Sequence, residues 1–128
     1  MNKIKFTLAW DKLKDPVFTT IRTWNPDKED YYRGSINQEF SVQKVHNPYS
    51  YTSVHVFCHA FLVEVKTLRP SEIDRSILEK DVMINGIPNV DWLTRIMKYE
   101  KVLLLTFSKD AMNGQCMRTE TEASECRA

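Results

Sequence analysis

The sequence predicts an α+β fold, and three observations predict it. Apolar segments with strand character recur along the chain, far enough apart to pair at long range. The two strongest helical segments follow one another directly in the second half, whereas a parallel α/β sheet needs a helix after nearly every strand. One strand candidate, "VHVFCHAFLVEVKTL", is too long to stay straight, so we expect a bend or bulge in it. A bent strand in a small sheet fits a partly open β-barrel with two to three short helices.

The first third of the chain contains two strands and a short helix. "KIKFTLAW" alternates, with Ile4 and Phe6 on one face, which is typical of a half-buried strand. A polar connection, "DKLKDP", leads to "VFTTIRTW", a second strand rich in β-branched and aromatic residues. In "NPDKEDYYRG", Asn25 can cap a helix, Pro26 fits its first position and Gly34 fits its end. We therefore predict a short helix in this segment.

The rest of the chain supplies three strands and two helices. "QEFSVQKV" predicts the third strand, and in the long fourth strand a regular alternation places Leu62 and Glu64 on one face. "RPSEIDRSILEKD" predicts a helix capped by Ser71. "NVDWLTRIMKYE" predicts another, whose apolar side consists of Val90, Leu93, Ile96 and Met97. "KVLLLTFSK" is almost continuously apolar, which predicts a last strand that is buried on both faces.

All of these elements belong to one predicted domain, residues 1–108, in a chain of 128 residues. Residues 109–128 are polar and contain no aromatic residue, so we expect a flexible C-terminal tail. The 18 basic and 17 acidic residues give a net charge of +1. Binding of an anion would therefore need a local cluster of cations, because the field of the whole chain is weak.

Several classes of protein are excluded by composition. No apolar run reaches the roughly 18 residues of a membrane span, so we expect no membrane partner. Three cysteines without framework spacing favour a reducing, cytoplasmic compartment. Among His55, Cys58 and His59, a regular strand points the thiol away from both imidazoles, so we predict no metal site. We also predict no cofactor, since three glycines are too few for a phosphate-binding loop.

The order of the elements, together with "FTTIRTW", resembles the ASCH family of PUA-like small barrels. In the family pattern G-x-K-x-x-x-x-R, Arg22 takes the arginine position, whereas Val17 and Asp15 stand in the lysine and glycine positions. Thr20 falls where catalytically active relatives carry a functional threonine, and Glu64 matches their acidic residue. The resemblance covers most of the chain and implies a PUA-like fold for it.

The resemblance implies a ligand site made of Thr20, Arg22 and Glu64 at the mouth of a barrel. A guanidinium suits a phosphate, a carboxylate or a base edge, while the hydroxyl and the carboxylate suit amide and amino groups. The alternative is that Arg22 and Glu64 form a structural ion pair. The sequence leaves both interpretations open.

Further contacts to a nucleic acid are predicted at Lys44, Tyr49 and Tyr51. Single-stranded RNA binds to aromatic side chains beside cationic grooves, because bases stack and phosphates are negatively charged. The two tyrosines lie in the loop "HNPYSY", where they are hard to bury. Trp24 is interpreted instead as packing the short helix onto the sheet.

The preferred function is a module that binds RNA or a nucleotide-like ligand without catalysis, and we expect a monomer. The first alternative is an amidohydrolase acting on an acetylated nucleoside, as some ASCH relatives do, with Thr20 and Glu64 as catalytic residues. Val17 argues against it, because its side chain cannot serve as the nucleophile or base that a lysine supplies. The second alternative is a protein-interaction module.

Overall fold

The computed structural model describes residues 2–45 and 53–110, and these form an α+β domain with three α-helices. A 3-10 helix at Asp11–Lys14 and another at Pro70–Glu72 connect larger elements. The strands and α-helices are, in chain order, β1 Asn2–Phe6, β2 Val17–Thr23, α1 Pro26–Arg33, β3 Glu39–Val45, β4 Ser53–Leu68, α2 Arg75–Asp81, β5 Met83–Ile84, β6 Ile87–Pro88, α3 Val90–Ile96 and β7 Val102–Ser108.

Five strands form one mixed sheet in the order β1-β3-β4-β7-β2. The pair β1–β3 is parallel and the other three pairs are antiparallel. The sheet does not close into the barrel that the sequence suggests, because β1 and β2 are its two edges and no ladder joins them. The edges nevertheless approach each other, since Nη2 of Arg22 on β2 donates a 2.9 Å hydrogen bond to the Lys5 carbonyl on β1.

The predicted irregularity in the long strand is confirmed, and it moves Glu64 to the other face of the sheet. Along β4, Leu62 lies opposite Phe107 and Val65 lies opposite Leu105, while Glu64 lies opposite Thr106. The register shift after Leu62 inserts one residue, so Val65 continues the face of Leu62. The expectation that Leu62 and Glu64 share a face is therefore wrong.

A second register shift rearranges the candidate metal ligands on β4. Cys58 lies opposite Val42 and His55 opposite Lys44, so these two residues share a face. His59 points to the opposite face, which corrects the expectation that the two histidines lie together. Within the described residues, no three His, Cys, Asp or Glu side chains are placed to hold a metal ion.

Buried side chains lie on both faces of β7, as its apolar run predicts, with Leu105 and Phe107 on one face and Leu104 on the other. Helix α1 covers the aromatic part of the core, on the face of Phe107. The Phe107 ring stacks on Phe18 at 5.5 Å and meets Phe40 edge-on at 5.2 Å. Tyr32 of α1 stacks on Phe40 at 6.2 Å. Because side chains alternate along β2, the face of Phe18 continues to Thr20 and Arg22. These two residues therefore end the core row at the edge of the sheet.

Two of the three predicted helix caps are confirmed. The Asn25 side chain accepts a hydrogen bond from the Lys28 amide at the start of α1, and Gly34 is the C-terminal cap. A further cap, which was not predicted, is Asn89, whose side chain accepts a hydrogen bond from the Trp92 amide at the start of α3. Ser71 caps no α-helix, because it lies within the 3-10 helix that precedes α2.

The apolar side predicted for α3 is confirmed in part. Ile96 is buried in the core and Leu93 packs against it, whereas Val90 and Met97 are exposed. A two-strand hairpin, β5–β6, precedes α3, and its turn residues Asn85 and Gly86 have positive φ angles of 53° and 77°. The hairpin was not predicted, although the dipeptide Asn-Gly in the sequence is typical of such turns.

The described structure continues two residues past the predicted domain end. The Lys109 amide donates to the Pro16 carbonyl, and its Nζ donates to the Leu13 carbonyl at 2.6 Å. The rest of the predicted flexible tail, 111–128, lies outside the described residues. None of the described helices has the length and apolar character needed to cross a membrane.

Candidate ligand-binding cleft

The gap between the edge strands β1 and β2 forms a cavity of about 640 Å³, here called the edge cleft. Helix α3 and the segment after β1 complete its walls. Its lining includes one carboxylate, Asp91, and six cationic side chains: Lys3, Lys5, Lys12, Arg22, Lys28 and Arg95. A chain with a net charge of +1 therefore concentrates positive charge at one place. Such a cavity attracts anions, because its walls focus the field of the cations.

Arg22 is the central cation of the edge cleft. Its guanidinium lies 4.6 Å from the centre of the Phe6 ring and bonds to the Lys5 carbonyl at 2.9 Å. Among the described residues, no carboxylate forms an ion pair with Arg22, and no group accepts a hydrogen bond from its buried Nε. Burial lowers the pKa of Arg22, although the guanidinium stays charged. The fold thus holds a desolvated cation with unused hydrogen-bonding capacity.

Lys12 brings a second buried cation to the edge cleft. Its Nζ lies 2.9 Å from Oδ1 of Asp81, which also accepts a 2.9 Å hydrogen bond from the Thr19 hydroxyl. The side chains of Lys12 and Asp81 are only 4% and 1% exposed. Burial lowers the pKa of Lys12 to about 8, and the Asp81 carboxylate offsets part of this effect. Oδ2 of Asp81 has no hydrogen-bond partner among the described residues.

Lys28 extends the cationic lining from helix α1. Its Nζ donates a 2.7 Å hydrogen bond to the Thr23 hydroxyl at the end of β2. Burial, and then the neighbouring Arg22 charge, lower the pKa of Lys28. Trp24 does not line the edge cleft. Its Nε1 donates a 2.6 Å hydrogen bond to Glu29, which attaches the end of β2 to α1. Lys101 covers the Trp24 ring, with Nζ 3.8 Å from its centre.

Helix α3 supplies an aromatic wall. Trp92 is half-buried and lines the edge cleft, and the Arg95 guanidinium lies 5.7 Å from the centre of its ring. The Asn89 side chain fixes the start of the helix through the Trp92 amide. An indole beside a guanidinium is an arrangement on which a nucleobase can stack.

The structure brings together only part of the site predicted from the sequence. Thr20 and Arg22 line the edge cleft. Glu64 lies on the opposite face of the sheet, with its side chain half exposed and 4.0 Å from Lys66 Nζ, so the predicted convergence and the Arg22–Glu64 ion pair are absent. Lys44 is half-buried on β3 and does not line this cavity. Tyr49 and Tyr51 lie outside the described residues.

Most cations of the edge cleft were not predicted from the sequence. The segment "DKLKDP" reads as a polar connection, yet it forms a 3-10 helix in which Lys12 and Leu13 are buried. A helical turn was indicated by Trp10 and Leu13, which are apolar and three residues apart. Lys28 and Arg95 lie on helices whose orientation toward the gap follows from packing alone.

Comparisons with known proteins add nothing to this geometry: no family model, curated protein or solved structure matches the chain. The chemistry of the edge cleft must therefore be argued from its own residues. Cations, an indole and a buried threonine hydroxyl together suit a ligand that combines an anionic group with an aromatic ring.

Proposed function

We propose that this chain is a PUA-like, ASCH-type module that binds RNA or a nucleotide-like ligand in the edge cleft without catalysing a reaction. The observation that carries the proposal is Arg22, a partly buried guanidinium whose Nε has no partner among the described residues and which shares the edge cleft with five other cationic side chains. A partly desolvated cation without a carboxylate partner lowers stability, so its presence favours a role in binding an anion from outside.

The ligand that fits best carries both a phosphate and a base. Arg22 and Lys28 offer charge-assisted hydrogen bonds to phosphate oxygens. Trp92 and Arg95 offer a stacking surface for the base, and the Thr20 hydroxyl can donate to or accept from its edge. The cavity of about 640 Å³ lies within the 300–1,000 Å³ that is usual for small-ligand sites. One nucleotide, free or within a strand, matches these features.

One observation favours hydrolysis of an acetylated nucleoside as the second candidate. Lys12 has a pKa lowered to about 8 and lines the same cavity as Thr20, so an amine is present although Val17 occupies the family's lysine position. The carboxylate of Glu64 points away from this cavity. Incubation with N4-acetylcytidine, followed by chromatography for cytidine, tests this candidate. Release of cytidine that Lys12→Met abolishes would favour it over binding alone.

The binding proposal is tested with a matched pair of variants. Arg22→Met removes the central cation, whereas Arg75→Met removes an exposed arginine that pairs with Glu79 on α2. We expect cytidine 5′-monophosphate and a single-stranded RNA hexamer to bind wild type and Arg75→Met alike at low salt. Arg22→Met should bind both about 10- to 100-fold more weakly, which corresponds to losing one charge-assisted interaction of about 1.5–3 kcal/mol. Absence of binding by wild type would reject the proposal.

A further inference from the structure

A ridge of exposed aliphatic side chains stands beside the edge cleft and has no role in the fold. It consists of Ile87 on β6 and Val90 at the start of α3, which are 67% and 64% exposed. Both values are well above that of Leu8, the exposed leucine that lines the cleft, at 37%. Neither residue belongs to the hydrophobic core. Val90 lies in the chain between Asn89 and Asp91, which both line the edge cleft, so the ridge is next to the cleft in the chain.

The ridge is held in a fixed position by hydrogen bonds at both ends. The Asp11 carboxylate accepts 2.8 Å bonds from the Asn85 and Gly86 amides at the tip of the hairpin. The Asn89 amide donates to the Val82 carbonyl, and the Asn89 side chain caps α3. A flexible loop could turn aliphatic side chains inward, whereas this framework keeps them in solvent. Ile87 and Val90 are therefore available to a ligand that extends out of the edge cleft.

We propose that the ridge of Ile87 and Val90 contacts the base of a second nucleotide when a strand of RNA occupies the edge cleft, so the ligand is a single-stranded RNA segment longer than one nucleotide. This inference rests on the proposed function. Aliphatic side chains pack against base faces and insert between bases, as wedge residues do in other nucleic-acid complexes. The cationic lining next to the ridge favours a polyanion over a neutral peptide as the occupant.

The experiment compares ligand lengths on matched variants. Cytidine 5′-monophosphate and a single-stranded RNA hexamer are titrated against wild type, Ile87→Ser/Val90→Ser and Val56→Ser. Val56 is an exposed valine of β4 outside the cleft lining, so it controls for the loss of surface apolar area. Size-exclusion chromatography establishes that the three proteins have the same oligomeric state.

Wild type should bind the hexamer at least about tenfold more tightly than the mononucleotide, because the hexamer adds a second base contact and further phosphates. The ridge variant should lose about three- to tenfold in hexamer affinity, and its mononucleotide affinity should not change. Val56→Ser should match wild type with both ligands. Equal affinity of wild type for both ligands would overturn the inference while leaving the proposed function in place.

Two other results would also decide the question. Hexamer binding that the ridge variant leaves unchanged would overturn the inference. If wild type bound neither ligand at low salt, the proposed function would fail, and the ridge proposal with it. The mononucleotide titration therefore separates the two failures.

Discussion

Arg22 is a residue whose contribution to stability and to binding should have opposite signs. Its charge is partly buried, its Nη2 donates a hydrogen bond to the Lys5 carbonyl, and its Nε has no partner among the described residues. A methionine at this position avoids the desolvation penalty of a charge that has no carboxylate partner among the described residues. Arg22→Met should therefore unfold at the same or a higher urea concentration than wild type. A large loss of stability in the urea melt would mean that Arg22 is structural.

Lys12 makes the stability of the fold depend on pH in a predictable direction. Its pKa is about 8 in the folded state and 10.5 in the unfolded chain, because burial penalises the ammonium. Between these values the unfolded state binds more protons, so the free energy of unfolding gains a contribution that rises with pH. Wild type should become more stable relative to Lys12→Met between about pH 8 and pH 10.5. Parallel stability curves for the two proteins over this window would contradict the lowered pKa.

The limits of sequence reasoning at this scale follow from the residues themselves. The resemblance to the ASCH family implied a site with Thr20 and Arg22, and alternation along the strand places these two residues on a common face. Lys12 was not predicted, since lysine is almost never fully buried unless it is paired, and its partner Asp81 is 69 residues away in sequence. A local sequence pattern therefore does not predict the pairing of Lys12 with Asp81.

At the scale of elements, the β5–β6 hairpin depends on one carboxylate from another part of the chain. The Asn85 and Gly86 amides donate to Asp11, and these two bonds are the main cause of the lowered pKa of Asp11. Asp11→Ala should therefore speed hydrogen exchange of both amides. Asp15→Ala, which removes a carboxylate that pairs with Lys80, should leave their exchange rates unchanged. Equal exchange rates in Asp11→Ala and wild type would show that the β5–β6 turn is stable without the Asp11 carboxylate.

The same contact should respond to acid. A carboxylate with a lowered pKa in the folded state contributes stability that is present above its unfolded value of 3.8 and is lost as pH falls through the folded pKa.

Hexamer affinity should fall in Asp11→Ala at neutral pH if the ridge needs the hairpin for its position. Unchanged affinity in that variant would separate the hairpin from RNA binding.

Strand β4 shows why the position of an element in the sequence was predicted better than the set of its residues that share one face of the sheet. The length of β4 alone predicts an irregularity, and the structure has register shifts in both of its halves. Their positions depend on pairing with β3 and β7, which a single segment of sequence does not encode. One inserted residue after Leu62 is enough to take Glu64 away from Thr20 and Arg22. The structure therefore brings Thr20 and Arg22 of β2 to one cavity and places Glu64 of β4 on the opposite face of the sheet.

For the whole molecule, the distribution of charge decides how binding depends on salt. The net charge is +1, so the protein has little general attraction for a polyanion, and the six cations of the edge cleft are its concentrated source. Lys12 is already paired with Asp81. If about three of the others contact phosphates, the logarithm of the affinity for a single-stranded RNA hexamer should fall with that of the salt concentration with a slope of about −2.

The slope also assigns the contacts. Lys3→Ala/Lys5→Ala should reduce its magnitude, because each lost phosphate contact removes about 0.7 from the slope for a single strand. The matched control is Lys98→Ala/Lys80→Ala, which removes two lysines outside the cleft lining and should leave the slope unchanged. A slope near zero would show that the ligand is held without its phosphates. A slope that falls equally in both double variants would show that the whole surface, and not the edge cleft, attracts the RNA.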